Sequence, residues 1–276
     1  MYPVLFRFGK LTLFTYGLFV ASGFVAGILL AKREAGLSGE DPEKVMDLSI
    51  YILIAAIGGS RFFYVVTNPG MFVSDPLEIF RIWNGGLVFY GGFIFAAVIA
   101  VIYLKRERMP ILKTGDILAP SIALGHFIGR LGCFFAGCCY GKASDLPWAV
   151  TFTHPESLAP AGILLHPTQL YSALNNLILF SLLWIFRHYK KFDGQLFWIY
   201  VLLYGITRSF LEIFRGDFRG DSFFGILSVS QTVGASMAVL AVFMLVFLWK
   251  RTVPVHKTVE DPNSSYSLKT EHRRTG

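Results

Sequence analysis

The chain has 276 residues, of which 54% are hydrophobic and 16% charged, with a mean hydropathy of +0.55. Soluble domains carry about 25% charged residues, and here the apolar residues run in long blocks, which excludes a soluble globular enzyme, a disordered chain and a nucleic-acid module. The net charge of +7 is read as loops that face anionic lipid head groups.

A spanning helix needs about 20 mainly apolar residues. Seven blocks meet that length in chain order: 11–31, 48–66, 87–104, 117–135, 168–186, 196–214 and 227–249. Lipid offers no partner to open backbone groups, so each block is predicted to be a helix. The runs are continuous and not alternating, which excludes a β-barrel. The first block is followed by Lys32-Arg33-Glu34 and not by a small-residue cleavage site, so it is read as a retained span. The segment 76–83 is too short to span and is predicted to lie at an interface. The connection 136–167 is long for a helix hairpin, and long loops in compact proteins are often functional. The fold expected is an all-α bundle of about seven transmembrane helices, with residues 1–250 as one membrane domain. Residues 251–276 are polar, rich in charge and Ser, and are read as a disordered tail.

Loop charge sets the orientation. Sixteen Lys and Arg residues fall in loops 32–47, 105–116 and 187–195 and in the tail, six fall on the other side, and Arg61, Arg130 and Arg208 lie inside spans. The positive-inside rule then places the N-terminus outside and the C-terminus in the cytoplasm.

A charge within a span costs at least about 2.5–3.5 kcal/mol at the bilayer centre on insertion scales. The three span arginines all lie within roughly 10 Å of the outer surface at 1.5 Å per helical residue. Tyr16 enters the first span at a similar depth, Tyr90 lies a little above, and Gln169 and Tyr171 open the fifth span on that side. Each arginine alone is compatible with snorkelling or a structural ion pair. Together they form one polar layer, and guanidinium forks suit phosphate, so a phosphate-bearing lipid of the outer leaflet is inferred. In the sixth span Tyr204, Arg208, Glu212 and Arg215 fall within about 80° on one helical face. Glu212 there either forms a structural salt bridge or orients a phosphate-binding arginine.

The fourth span runs Gly125-His126-Phe127-Ile128-Gly129-Arg130-Leu131-Gly132-Cys133 and continues to Cys138-Cys139-Tyr140-Gly141. His126, Arg130 and Cys133 follow one another at helical spacing. Adjacent cysteines are poor ligand spacing, so no metal is expected. Cys133 and Cys138 are too distant to bridge in a regular helix, although a break at Gly137 would permit it.

These residues resemble the prolipoprotein diacylglyceryl transferase family over about residues 3–250. The resemblance rests on an ordered set: Tyr16-Gly17, Gly58-Gly59-Ser60-Arg61 with Tyr64, Gly85-Gly86-Leu87, Gly91-Gly92 and Gly129-Arg130-Leu131-Gly132. It continues through His166-Pro167-Thr168-Gln169-Leu170-Tyr171, Tyr204-Gly205, Arg208, Glu212, Phe214-Arg215 and Ser230-Gln231. The chain departs from the family where Cys133 stands for its usual Asn, Cys138 for an acidic residue and Tyr90 for a His proposed as its general base.

The resemblance implies a transferase of the bacterial inner membrane whose active site faces the outer leaflet. It would move the diacylglyceryl group of phosphatidylglycerol to the lipobox cysteine thiol of a prolipoprotein signal peptide. A thioether forms and glycerol phosphate leaves, without cofactor and without nucleic acid. The catalytic residues implied are Arg130 and Arg208 on the phosphate, Glu212 orienting Arg208, and Tyr90 or His166 assisting proton transfer. Tyr16, Arg61, Gly129, Gly132, Cys133, Cys138, Gln169, Tyr171, Tyr204 and Arg215 would bind substrate. Two other readings stay open: a membrane thiol oxidoreductase using Cys133, Cys138 and Cys139, and an anionic-lipid transporter without covalent chemistry.

Overall fold

A computed structural model describes residues 2–9, 11–73, 75–217 and 228–251. The expected tail therefore lies, from residue 252 on, outside the described residues. Seven helices are long and apolar enough to cross a membrane: α1 (Thr15–Leu37), α2 (Pro42–Thr67), α3 (Phe89–Arg106), α4 (Ile111–Ala136), α5 (Thr168–Phe186), α6 (Gln195–Leu211) and α7 (Val229–Arg251). The chain is a multi-pass membrane protein, and all seven expected spans are present.

The helix ends differ from the hydropathy blocks for local reasons. The first four residues of the first block are strand, because β1 (Val4–Phe8) and β2 (Leu11–Phe14) form an antiparallel hairpin. That hairpin is fastened to α1 by Thr15 N–H donating to the Pro3 carbonyl at 2.9 Å. α2 starts six residues before its apolar block. The Asp41 carboxylate accepts from Glu43 N–H at 2.9 Å and Pro42 takes the first turn, so a polar first turn is still helical. α6 stops at Leu211 and tightens into a 3-10 turn, Glu212–Phe214. Residues 76–83 form two short 3-10 turns, Pro76–Phe80 and Ile82–Asn84, between α2 and α3. The all-α expectation needs one further amendment in the long loop, where β3 (Val150–Thr151) pairs with β4 (Leu164–Leu165).

Glycine builds the helix pairs. In lipid, helices associate by close van der Waals contact between small residues and not by hydrophobic burial. α1 packs on α4 through Gly23 and Gly125, where a methyl on Gly23 would stand 2.7 Å from the Gly125 carbonyl oxygen. α2 packs on α3 through Gly59 and Gly91, and α6 on α7 through Gly205 and Gly234, with equally close backbones. α4 also packs on α5 and α6, which makes it the central helix of the C-terminal half.

The two ends of the bundle are chemically different. The end bearing the α1 C-terminus is laced by ion pairs between helices: Arg187–Glu34 at 2.6 Å, Lys113–Glu40 at 2.7 Å, Lys44–Glu107 at 3.0 Å and Lys190–Asp116 at 3.0 Å. Asp116 also accepts from Gly194 and Phe197 N–H and so caps the α6 N-terminus. The end bearing the chain's N-terminus carries the 136–167 loop. It packs Phe152, Ala159 and Leu165 into a small core and bridges from Gly141 to Arg215, just beyond α6.

Candidate active site

At the N-terminal end, α4, α5 and α6 enclose a narrow crevice lined by Arg130, Ser172, Asn175, Asn176, Tyr204, Arg208 and Leu211. Arg130 donates from Nε to His126 Nε2 at 3.2 Å, one helical turn away. Its two Nη nitrogens have no hydrogen-bond partner among the described residues, so an arginine fork is presented to the crevice wall. His126 lies ring to ring with Tyr204 at 5.3 Å and thereby steers Arg130 toward α6.

Arg208 is held differently. It donates from Nη1 to Glu212 and from Nη2 to Ser230 Oγ at 3.3 Å. Glu212 also stands 3.7 Å from Arg215 Nε. Arg215 in turn makes a two-pronged pair with Asp217, at 2.9 and 2.8 Å. The helical face expected for Tyr204, Arg208, Glu212 and Arg215 is cut short, because α6 ends at Leu211, Glu212 opens a 3-10 turn and Arg215 is extended, yet the turn still lets one carboxylate be shared by two arginines. Glu212 orients Arg208, and Arg215 is committed to protein carboxylates. Buried charges that are paired and hydrogen-bonded keep a fixed geometry.

Arg61 shows a third arrangement. It is buried, and it donates to the backbone carbonyls of Glu78, Ile79, Gly85 and Gly86. A guanidinium has five N–H donors, and four of these contacts go to the α2–α3 connection. Arg61 thus clamps that connection, with Tyr64 and Phe72 rings beside it. This geometry favours the structural role over the phosphate contact implied for it.

The remaining candidates divide into two groups. Gln169 is fully buried and donates to the Cys138 carbonyl at 2.9 Å, and Thr168 donates to the Cys139 carbonyl at 2.7 Å. Both tie the α5 N-terminus to the turn that follows α4. The Tyr171 hydroxyl lies 3.3 Å from His166 Nδ1 and accepts from Trp148 Nε1 at 2.7 Å, so these three form one polar cluster of the long loop. Tyr90, by contrast, is 45% exposed on the first turn of α3, packs on Phe89 and makes no hydrogen bond among the described residues. Tyr16 is 44% exposed but stands within electrostatic reach of Arg130 and all three cysteines. Gly132 allows α1 to approach, its Cβ position being 2.8 Å from Phe19, whereas Gly129 faces open space.

Sequence reasoning missed the amides. Asn176 is 1% exposed, donates to the Ser172 carbonyl at 2.7 Å, and its Oδ1 has no partner among the described residues. Asn175 donates to Thr207 at 3.0 Å. Two adjacent asparagines inside an apolar span were the available signal, since buried polar groups in lipid need a partner or a function.

The cysteines are placed by a break in the helix. α4 ends at Ala136, Gly137 adopts a left-handed φ of 74° and Cys139 a φ of 61°. The turn brings the sulfurs of Cys133, Cys138 and Cys139 within 4.8 Å of one another. The distance argument against a Cys133–Cys138 bridge assumed a regular helix, and the left-handed turn at Gly137 is the break it allowed for. The Cys139 thiol is pushed down by hydrogen bonds from Cys133 and Cys138 and by the Arg130 and Arg215 guanidiniums beside it.

Residues 3–247 match the family described as prolipoprotein diacylglyceryl transferase. The chain is 36% identical over 245 residues to the phosphatidylglycerol–prolipoprotein diacylglyceryl transferase of Clostridium tetani, covering 88% of this chain and 96% of that protein. It is 34% identical over 239 residues to the protein of the same name from Finegoldia magna, with 86% and 92% covered. For the one from Geobacter sulfurreducens the identity is 33% over 262 residues, with 91% and 96% covered.

Proposed function

The chain belongs to the prolipoprotein diacylglyceryl transferase family, and from that premise we propose that it transfers the diacylglyceryl group of phosphatidylglycerol to a prolipoprotein's lipobox cysteine. The observation that supports this reading best is the crevice between α4 and α6. It pairs an arginine whose two Nη groups have no partner among the described residues with an arginine fixed by a carboxylate. The phosphate of a lipid head group suits that pair, because forked N–H donors match phosphate oxygens. The orphan Oδ1 of Asn176 accepts a glycerol hydroxyl.

Chemically, the acceptor thiol gives up its proton to water, its sulfur attacks the glyceryl carbon, the carbon–oxygen bond to phosphate breaks, and glycerol phosphate departs with the electron pair. Charge builds on the leaving phosphate in a low-dielectric site, where preorganised donors lower the barrier most. Arg130 and Arg208 carry that charge. Glu212 holds Arg208 in place, and Arg215, Gln169, Tyr171 and His166 brace the loop above. Residues 1–250 form the catalytic unit. The N-terminal end of the bundle faces the outer leaflet of the bacterial inner membrane, in agreement with the excess of Lys and Arg at the opposite end.

The test is transfer by purified protein reconstituted with phosphatidylglycerol and a lipobox peptide. A mass gain of one diacylglyceryl unit on the cysteine peptide, and none on its serine analogue, is the expected result. No gain under conditions where a relative is active would overturn the reading.

A further inference from the structure

The cysteine cluster is a group of chemistry-bearing side chains that the phosphate site does not use. Three sulfurs within 4.8 Å are more than a disulfide needs, since a disulfide takes two. The turn that gathers them is also costly. Cys139 is a non-glycine residue at φ 61°, a conformation that persists only where its surroundings enforce it. Thr168 and Gln169 supply that enforcement by holding both carbonyls of the turn. A methyl on Gly137 would collide with Ser157 Oγ, so the turn admits only glycine there.

Thiolates on a tetrahedral zinc ion, at Zn–S about 2.3 Å, stand about 3.8 Å apart. Sulfurs already within 4.8 Å reach that spacing by rotamer adjustment. Three protein ligands with an open fourth position is the arrangement of catalytic zinc, whereas structural zinc has four. Three thiolates around a divalent cation leave one net negative charge, and the Arg130 and Arg215 guanidiniums stand beside the sulfurs to offset it.

We infer that Cys133, Cys138 and Cys139 bind one thiophilic divalent cation of the zinc class, whose fourth position takes the acceptor cysteine. The metal part stands on the geometry alone, and the acceptor part rests on the proposed transferase reading. A thiol with a pKa near 8.5 is mostly protonated at neutral pH, and coordination to zinc deprotonates it outright. The proton passes to solvent, the bound sulfur forms the new carbon–sulfur bond, and the phosphate leaves with its electron pair onto Arg130 and Arg208. No oxidation state changes. The thioether product carries no charge and is a weaker ligand, so the product leaves the metal.

The test uses the full-length protein in detergent, reduced and freed of metal, with Co2+ as an optical probe and Zn2+ for stoichiometry. One Zn2+ per chain is expected, together with a thiolate-to-cobalt charge-transfer band and protection of all three cysteines from alkylation at once. Cys139→Ser should weaken binding by at least tenfold. Alkylation protection in the wild-type chain is read without any variant, so a misfolded variant does not decide the matter. The lipobox cysteine peptide should shift the cobalt spectrum without phosphatidylglycerol present, and its serine analogue should not. Zinc content no higher in the wild type than in a triple serine variant overturns the metal site. A cobalt spectrum indifferent to the cysteine peptide, or transfer unaffected by metal removal, overturns the acceptor role. A cobalt shift without transfer supports the metal site and counts against the transferase reading instead.

Discussion

Arg61 on α2 and Arg130 on α4 sit at similar depths near the same end of the bundle, and they do opposite things. Arg61 spends four contacts on backbone carbonyls of the α2–α3 connection. Arg130, which lines the crevice, spends one on His126, and neither Nη group has a hydrogen-bond partner among the described residues. A charge inside a membrane span is expensive wherever it lies, so its presence says only that something compensates it. What separates scaffold from site is the count of donors already committed within the protein.

That difference is sharpest at Arg130 itself. Arg130→Ala should lower transfer by about 10²–10³-fold, the size of effect seen when one transition-state donor is removed. Helical content and thermal unfolding should stay unchanged. A loss of folded protein, read by circular dichroism, would instead place Arg130 with Arg61. Glu212→Gln keeps the shape but loses the charge shared by Arg208 and Arg215. Misplaced binding groups cost rate steeply, and transfer should fall by about tenfold or more. The phosphatidylglycerol KM should rise less than kcat falls if Glu212 acts through Arg208.

Arg61→Ala is expected to act through stability. Each buried carbonyl left unpaired costs about 1–3 kcal/mol, so Tm should drop by several degrees. Transfer per folded molecule should fall only a few-fold. Arg61→Lys should not rescue Tm, because one ammonium cannot span four carbonyls. The smallest effect is expected at Tyr90. Loss of a true general base costs about 10²–10⁴-fold, whereas Tyr90→Phe should stay within about twofold. A hundredfold loss there would bring the exposed α3 turn into the mechanism.

Much of this was legible in the chain. All seven spans follow from apolar run length, because lipid leaves a continuous apolar segment little choice but helix. Of the α6 face read from spacing, Tyr204 and Arg208 lie on the helix, whereas Glu212 and Arg215 fall beyond its end at Leu211. Where ends were misplaced, the cause was local: the hairpin at 4–14, the Asp41 cap and the 3-10 turn at Glu212. Partners were harder to read. Arg61, Arg130 and Arg208 look alike in sequence, and only the fold decides which carbonyls or carboxylates each one meets. The cysteines were the hardest case. A break at Gly137 was open to sequence reading, whereas the left-handed backbone at Cys139, on which their convergence also depends, was not.

The most direct test of the contrast is single-turnover transfer to a lipobox peptide, measured by mass and normalised to folded protein, for Arg130→Ala beside Arg61→Ala. The account predicts that Arg130→Ala falls at least about a hundredfold below the wild type while Arg61→Ala stays within a few-fold of it. Equal losses in the two variants, or full activity in Arg130→Ala, would contradict it.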